Sequence, residues 1–347
     1  MKAIVYHGPG QKGWEDVLDP TIEATTDAIV RVDAVTICGT DLHILKGDVP
    51  AVTDGRILGH EAVGTVEAVG SGVTTVRPGD RVLVSCITSC GRCRFCREGR
   101  YGLCAGGGGW ILGHRIDGTQ ADFVRVPFAD TSTHLVPDGV ADEAVLMLAD
   151  IGPTSYEVGV LNGRVSPGDT VAVVGAGPIG LAAILTAQLF SPSQIVAIDL
   201  AESRLEAAKR FGATVQVQSQ QQDPVEVVSE LTAGLGADSV IEAVGVPETF
   251  ELCTKLVRPG GTVANVGVHG APATLHLEDL WIKDVTITTG LVDTYSTPTL
   301  LELIKTGQLD VGPFVTHRFP FDRFLDAYDT FSRAGETGAL KVALTRS

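Results

Sequence analysis

Between Pro167 and Gly290 the sequence repeats one pattern, and that pattern leaves few folds open. Six short apolar runs occur in order: Thr170–Val174, Ile195–Ile198, Thr214–Val217, Ser239–Glu242, Thr262–Val266 and Val285–Thr289. Helical stretches separate most of them, for instance Ile179–Phe190 and Glu202–Phe211, the second closed by Gly212. Only the link Gly267–Asp284 is less clearly helical. Strand–helix alternation of this kind predicts an α/β fold with a doubly wound parallel sheet, because each parallel crossover needs a helix that buries its apolar side on the sheet. The first run leads directly into Gly175-Ala176-Gly177-Pro178-Ile179-Gly180, and Asp199 closes the next strand nineteen residues beyond Gly180. Glycines there let the backbone turn tightly and approach a pyrophosphate at a helix N-terminus, while the acid reaches ribose hydroxyls. A purely structural glycine turn would not require the strand, the helix and the acid to agree. Asp199 would face the 2′-phosphate of NADP at close range, so NAD is the expected dinucleotide. Arg204, at the start of the following helix, can soften that bias by pairing with a phosphate or with Asp199.

The first 150 residues follow a different grammar. Short β-branched or alternating runs recur at Ala28–Val35, Gly64–Val69, Arg81–Val84 and Ala121–Val126, punctuated by turns such as Pro78-Gly79-Asp80. Several short strands closed on themselves predict a barrel-like β-rich domain. After Gly290 a helix over Thr297–Lys305 and the stretch Phe314–Leu344 leave the alternating pattern and are expected to return to the N-terminal domain. The expected organisation is therefore 1–153, 154–290 and a return over 291–347.

Charge excludes some functions. Lysine and arginine number 26 against 42 aspartates and glutamates, a formal net charge of −16. Nucleic acid or an anionic membrane surface would need a basic footprint, so neither is an expected partner. No apolar run approaches the roughly 20 residues of a membrane span. The opening MKAIVYHGPG has neither the basic nor the apolar region of a secretory leader, and a cytoplasmic location is expected.

Four of the seven cysteines fall in Cys90-x2-Cys93-x2-Cys96-x7-Cys104. Four thiolates at this spacing can close a tetrahedron around zinc with no open position, which makes the site structural. Free or disulfide-bonded cysteines, or a nucleic-acid zinc ribbon, are the other readings, and the acidic chain argues against the last. A second set is dispersed. Cys38-Gly39-Thr40-Asp41-Leu42-His43, Gly59-His60-Glu61 and Asp150 each have an ordinary explanation alone: a small buried cysteine, a core histidine, a capping aspartate. Together Cys38, His60 and Asp150 supply the three ligands that leave a catalytic zinc one open position.

With these motifs in place, the sequence resembles the zinc-containing medium-chain alcohol dehydrogenases over essentially its whole length. The carrying motifs are Cys38–His43, Gly59-His60-Glu61, the Cys90–Cys104 lobe, Gly175–Gly180 and the turn around Gly267–Gly270. Asp150 stands where many members carry cysteine, which is similar to the bacterial secondary alcohol dehydrogenases. The resemblance implies a Rossmann domain beside a GroES-like catalytic domain, two zinc ions per chain, NAD, and a homodimer or homotetramer. The strand Val285–Thr289 would pair with its symmetry mate. It further implies that Glu61 is an alternate ligand behind the zinc held by Cys38, His60 and Asp150. Thr40 would pass on the substrate proton, His43 would end the relay, and the Val268 backbone would meet the nicotinamide carboxamide.

By the same resemblance Cys86 and Trp110 line the substrate pocket. Gly152, where a bulkier apolar residue is more usual, either relaxes a turn or widens that pocket. Trp110, Cys86 and Leu291 suggest an apolar wall, so secondary or bulky hydrophobic alcohols, or the matching ketones and aldehydes, are the expected substrates. A polyol or threonine dehydrogenase of the same family is the alternative, and its pocket should carry several polar groups. A zinc- and nucleotide-binding sensor without turnover should lack Thr40, His43 or a zinc ligand, and none is missing.

Overall fold

The structure, a computed structural model, describes residues 1–346. Its contacts divide the chain into two compact units, Met1–Asp150 with the chain from Asp293 onward, and Ile151–Val292.

In the second unit, strand Thr170–Val174 is buried along its whole length and sits centrally in a six-stranded sheet. Gln194–Asp199 and then Val215–Gln218 flank it on one side; Ala237–Glu242, Val257–Asn265 and Thr286–Thr289 follow on the other. Every pairing is parallel. The order reverses direction beside the first strand, so the loops at its carboxyl end lie at a topological switch point. The fifth strand starts at Val257 rather than Thr262, and its register against Ala237–Glu242 shifts across Pro259-Gly260-Gly261. Proline and glycine interrupt the apolar pattern there without ending the pairing. Between the fifth and sixth strands the only regular helix is the single turn Leu277–Leu280.

In the first unit the nine-residue strand Ala28–Thr36 is the hub. It pairs antiparallel with Ala62–Val69, Phe123–Val126 and Lys341–Thr345. Arg81–Val84, Thr133–Leu135 and Val315–Pro320 complete a seven-stranded sheet, and Lys2–Tyr6, Lys12–Asp16 and Arg56–Ile57 form a separate small one. The core gathers Ile4, Val30, Val32, Ile37 and Leu58 against Phe324, Tyr328 and Phe331 of helix Phe324–Ser332. The expected strand Ala121–Val126 begins at Phe123, because Ala121 forms a bridge to Ala3 instead. No described helix is long and apolar enough to cross a membrane.

Two glycines set the turn after the central strand. Gly175 has φ 96°, a left-handed conformation that side chains resist. At Gly180, inside helix Pro178–Ala187, an added Cβ would lie 1.8 Å from the Gly175 carbonyl oxygen. The helix thus packs directly on the turn, and Gly180→Ala must push the two apart. The expected cost is about 1–3 kcal/mol of stability, read as a lower urea midpoint; an unchanged midpoint would show that the helix shifts freely.

Candidate functional site

Helix Gly39–Lys46 begins where Cys38 is extended, at φ −107° and ψ 160°. Asp41, the third helical residue, reaches back and accepts the Cys38 N–H at 2.8 Å, the reciprocal half of a capping box. That carboxylate also accepts a bond from Gln120 Nε2 at 3.0 Å, and Gln120 Oε1 accepts one from the Tyr328 hydroxyl at 2.6 Å. Asp41 Oδ1 lies 3.9 Å from His60 Nδ1. The chain before His60 turns through Gly59, φ 94°, against Thr119 and Gln120, and His60 and Glu61 lead straight into strand Ala62–Val69. Asp150 follows the buried run Val145–Ala149, which is tied down where Cys86 N–H bonds the Ala149 carbonyl at 3.0 Å.

These elements bring one atom each from Cys38, His60, Glu61 and Asp150 within 4.8 Å of one another. Asp150 Oδ2 is 3.6 Å from Cys38 Sγ and 3.5 Å from His60 Nε2, and His60 Nε2 is 3.8 Å from Glu61 Oε1. A tetrahedron with metal–ligand bonds of about 2.0–2.3 Å has edges of about 3.3–3.8 Å. The donor set of thiolate, imidazole and carboxylate therefore fits zinc in chemistry and in spacing.

Glu61 has a second engagement. Its two oxygens accept bonds from Lys341 Nζ at 2.9 and 2.8 Å, and both side chains are 1% exposed. Burial opposes the Lys341 charge, but the Glu61 carboxylate overrides it and raises the ammonium's pKa. Burial, then the Glu61 charge, raises the Cys38 thiol. Burial works against a His60 imidazolium, yet Asp150 and Cys38 lift it well above its ordinary value. Lys341, Asp41, Gln120 and Tyr328 escape a reading by motif, although a lysine opening the apolar run Lys341–Leu344 is a visible anomaly.

Thr40 Oγ1 is 3.7 Å from Cys38 Sγ. His43 lies one turn further along the same helix face, half-exposed, with Nδ1 2.8 Å from Asp48 Oδ2. Burial pushes the Cys86 thiol up, and Cys86 Sγ lies 3.6 Å from Asp150 Oδ1. Trp110 stacks on His114 at 4.3 Å and turns its edge to His60 at 6.5 Å. Gly152 is buried in the short helix Ile151–Thr154 of the second unit, where Val268 and Leu291 are 77% and 48% exposed.

A second cluster joins Cys90, Cys93, Cys96 and Cys104. Cys96 Sγ is 3.9 Å from Cys90 Sγ and 3.4 Å from Cys93 Sγ. Backbone N–H groups point at the sulfurs: Cys90 to Cys104 at 3.3 Å, Cys93 to Cys90 at 3.4 Å. The Cys96 N–H holds Cys93 down to about 6, while burial pushes Cys96 up to about 12. All four donors are sulfur, which leaves no place for a substrate in a tetrahedral site.

At the glycine turn, Asp199 accepts the N–H of Ala176 at 2.7 Å and that of Ala201 at 2.9 Å, one on each oxygen. Each oxygen retains a lone pair for a hydroxyl donor. A Cβ at Gly177 would meet nothing nearer than Arg204 Nη1 at 3.9 Å, so the turn faces open space beside a guanidinium that lies 4.0 Å from Asp199.

Comparison with known proteins decides the family. Residues 24–138 match the family model of the alcohol dehydrogenase GroES-like domain, and residues 178–306 that of the zinc-binding dehydrogenases. An alcohol dehydrogenase of Cupriavidus necator is 39% identical, over 99% of this chain and 98% of its own. The chain belongs to the zinc-type alcohol dehydrogenases. A zinc-dependent alcohol dehydrogenase 2 from Streptococcus pneumonia, solved in its apo form, superposes with a TM-score of 0.96 at 46% identity, covering 100% of this chain and 99% of its own. An L-threonine 3-dehydrogenase of Bacillus licheniformis is 34% identical over 99% of this chain and 98% of its own. The family includes more than one substrate class at nearly equal likeness. The fold is thus a GroES-like β-rich unit and a Rossmann-like α/β unit.

The titration of the site predicts how metal loads. Without metal, the Cys38 thiol sits above its ordinary value of 9.0 and His60 above 6.5. Below pH 6.5 both therefore carry protons that a metal must displace, so affinity should fall by about two decades per pH unit. Chelator competition across pH 5.5–6.5, below both ordinary values, measures this. An affinity flat with pH would mean that neither group is protonated.

Proposed function

We propose that this protein interconverts alcohols and carbonyl compounds with NAD(H), using zinc held by Cys38, His60 and Asp150, with Glu61 as an alternate ligand. The convergence of those four residues, from segments more than a hundred positions apart, is the observation that carries the reading. Cys90, Cys93, Cys96 and Cys104 hold the second, structural zinc. When bound at the first site, the metal supplies Lewis-acid polarisation of a substrate oxygen.

The chain's own residues then divide the remaining work. Thr40, beside Cys38, takes the hydroxyl proton, and His43 at the helix surface passes it to solvent. Asp48 orients that imidazole through Nδ1. Asp41 and Gln120 hold the Cys38 end of the helix so that thiolate and hydroxyl keep their relative places. Gly175, Gly177, Pro178, Ile179 and Gly180 form the cradle for the coenzyme pyrophosphate, and the Val268 backbone receives the carboxamide.

Substrate preference rests on Cys86 and Trp110. A buried thiol leaves room where a larger residue would fill, and the Trp110 ring supplies an apolar face near His60. Secondary or bulky hydrophobic alcohols fit such a lining better than polyols or threonine, which need several polar partners. Steady-state turnover of primary, secondary, cyclic and polyol alcohols tests this. We expect secondary and cyclic alcohols to lead in kcat/KM by about tenfold or more, equivalent to about 1.4 kcal/mol, and a polyol or threonine in first place would overturn the assignment.

Coenzyme preference rests on Asp199. Two unit charges about 4 Å apart repel by about 4 kcal/mol at an effective dielectric of about 20. Half of that exceeds one decade, since about 1.4 kcal/mol is a factor of ten. NAD should therefore lead NADP by at least about tenfold in kcat/KM, and Asp199→Gly should narrow or reverse the ratio. Arg204 sets the limit. Equal efficiency with both coenzymes in the unmodified protein would mean that its guanidinium outweighs the carboxylate.

A further inference from the structure

Asp150 turns its two carboxylate oxygens to different neighbours. Oδ2 lies 3.6 Å from Cys38 Sγ and 3.5 Å from His60 Nε2, among the donors of the metal cluster. Oδ1 accepts a hydrogen bond from the Cys86 thiol, with Sγ 3.6 Å away. The same two segments are joined a second time through the main chain, where the Cys86 N–H bonds the Ala149 carbonyl at 3.0 Å. The segment that presents the thiol is itself fixed. Ser85 N–H bonds the Ser132 carbonyl at 3.0 Å, and Ser85 Oγ accepts the Ile87 N–H at 3.2 Å while donating to Thr294 Oγ1 at 3.0 Å. Ser85, Cys86 and Ile87 are all buried. The thiol is thus offered to Asp150 from a segment that is dry and tied down on both sides of it.

A carboxylate can meet a divalent cation through one oxygen or through both. Through one, Asp150 completes a set with Cys38 and His60 that leaves a four-coordinate site one open position. Through both, it supplies an extra donor at the expense of that position. A hydrogen bond already seated on Oδ1 weights the choice toward one oxygen, because the lone pair it engages is withdrawn from the metal. Cys86 suits this task in two ways. Burial disfavours a thiolate, so the sulfur keeps the proton it donates. A thiol is also a weak donor, so it directs Oδ1 without drawing off the charge that Oδ2 needs for coordination. An alanine, only slightly smaller, would line the same wall and offer Oδ1 no such bond.

We propose that Cys86 is a positioning residue whose thiol, by donating to Asp150 Oδ1, commits Asp150 to the metal through Oδ2 alone. The inference rests on the metal assignment of the preceding subsection. It gives one buried side chain two duties, since the residue assigned to the substrate wall also sets how its neighbour coordinates. Substitutions of Cys86 that resize the pocket then disturb the metal site as well, unless they keep a donor.

The test uses the full-length protein loaded with cobalt(II), followed by chelator competition and by d–d absorption, which reports coordination number. Loss of the catalytic-site cobalt in His60→Ala checks the metal assignment itself; the variants of Cys86 check the thiol. Cys86→Ala should weaken cobalt binding at that site by about tenfold or more and shift its absorption toward five-coordination. Cys86→Ser, close in size but with a hydroxyl donor, should keep the wild-type affinity and spectrum. A side chain that serves only as pocket wall would move substrate preference alike in both variants and leave the metal readouts unchanged. The infrared S–H stretch gives a second reading on the unmodified protein, whether or not Cys86→Ala folds. Of the seven cysteines only Cys86 and Cys253 stand outside the two metal clusters and remain as thiols when both are loaded. Their bands are told apart with Cys253→Ser, and that of Cys86 should lie at lower frequency than a thiol without an acceptor. Wild-type affinity and spectrum in Cys86→Ala, equal losses in Cys86→Ser and Cys86→Ala, or an unshifted S–H band would overturn the proposal.

Discussion

Cys38, Asp41, Glu61 and Asp150 crowd acidic or thiol groups into one largely dry volume, and like charges so placed cannot all ionise without compensation. Lys341 supplies one positive charge to Glu61, and His60 faces Asp41, Glu61 and Asp150 at 3.5–3.9 Å. Of the three that remain, Asp41 is met by hydrogen bonds from the Cys38 N–H and Gln120, and a divalent cation held as proposed would meet the other two. Much of the β-rich unit serves this requirement. The hub strand Ala28–Thr36 carries the chain toward Cys38 on its way out, pairs with the strand that follows His60 and Glu61, and pairs again with the strand that begins at Lys341. One strand therefore aligns both members of the ion pair.

The hydrogen bonds around that charge cluster fix its geometry. Tyr328, Gln120 and Asp41 form a buried chain that ends on the Cys38 N–H and faces His60. Tyr328 satisfies Gln120 and Gln120 satisfies Asp41 Oδ2, while Asp41 Oδ1 makes no hydrogen bond and faces His60 Nδ1 at 3.9 Å. Tyr328 lies on helix Phe324–Ser332, in the core with Phe324 and Phe331. Packing of the C-terminal segment is thus transmitted to the helix cap that presents Cys38 and Thr40.

The second unit solves a different problem, close approach rather than charge. Gly175 takes a left-handed backbone, Gly180 lets its helix rest on the Gly175 carbonyl, and Gly177 leaves open space in front of the helix N-terminus. Asp199 ties the turn to the neighbouring strand by accepting the Ala176 N–H. The acid proposed to select the ribose is also a structural bond of the glycine turn, so on that reading its replacement acts on coenzyme preference and local stability together.

Features decided within a short stretch of chain were legible without coordinates. The parallel sheet followed from apolar runs alternating with helices, and five of the six strands lie within two residues of their expected ends. Val257–Asn265 starts earlier because a proline–glycine interruption hides strand pairing that hydropathy cannot register. Four cysteines within fifteen positions, and a glycine turn followed by an acid, are likewise local spacings with a chemical meaning of their own. Tertiary structure alone decided the partners. Lys341 meets Glu61 across 280 positions and Tyr328 meets Gln120 across 208. Neither spacing carries a period or a motif, because the closeness of these groups is set by strand pairing and core packing rather than by neighbours in sequence. A buried charge declares itself in the sequence only as an anomaly, a lysine where an apolar residue would do, and its counter-ion is fixed only when the sheet closes.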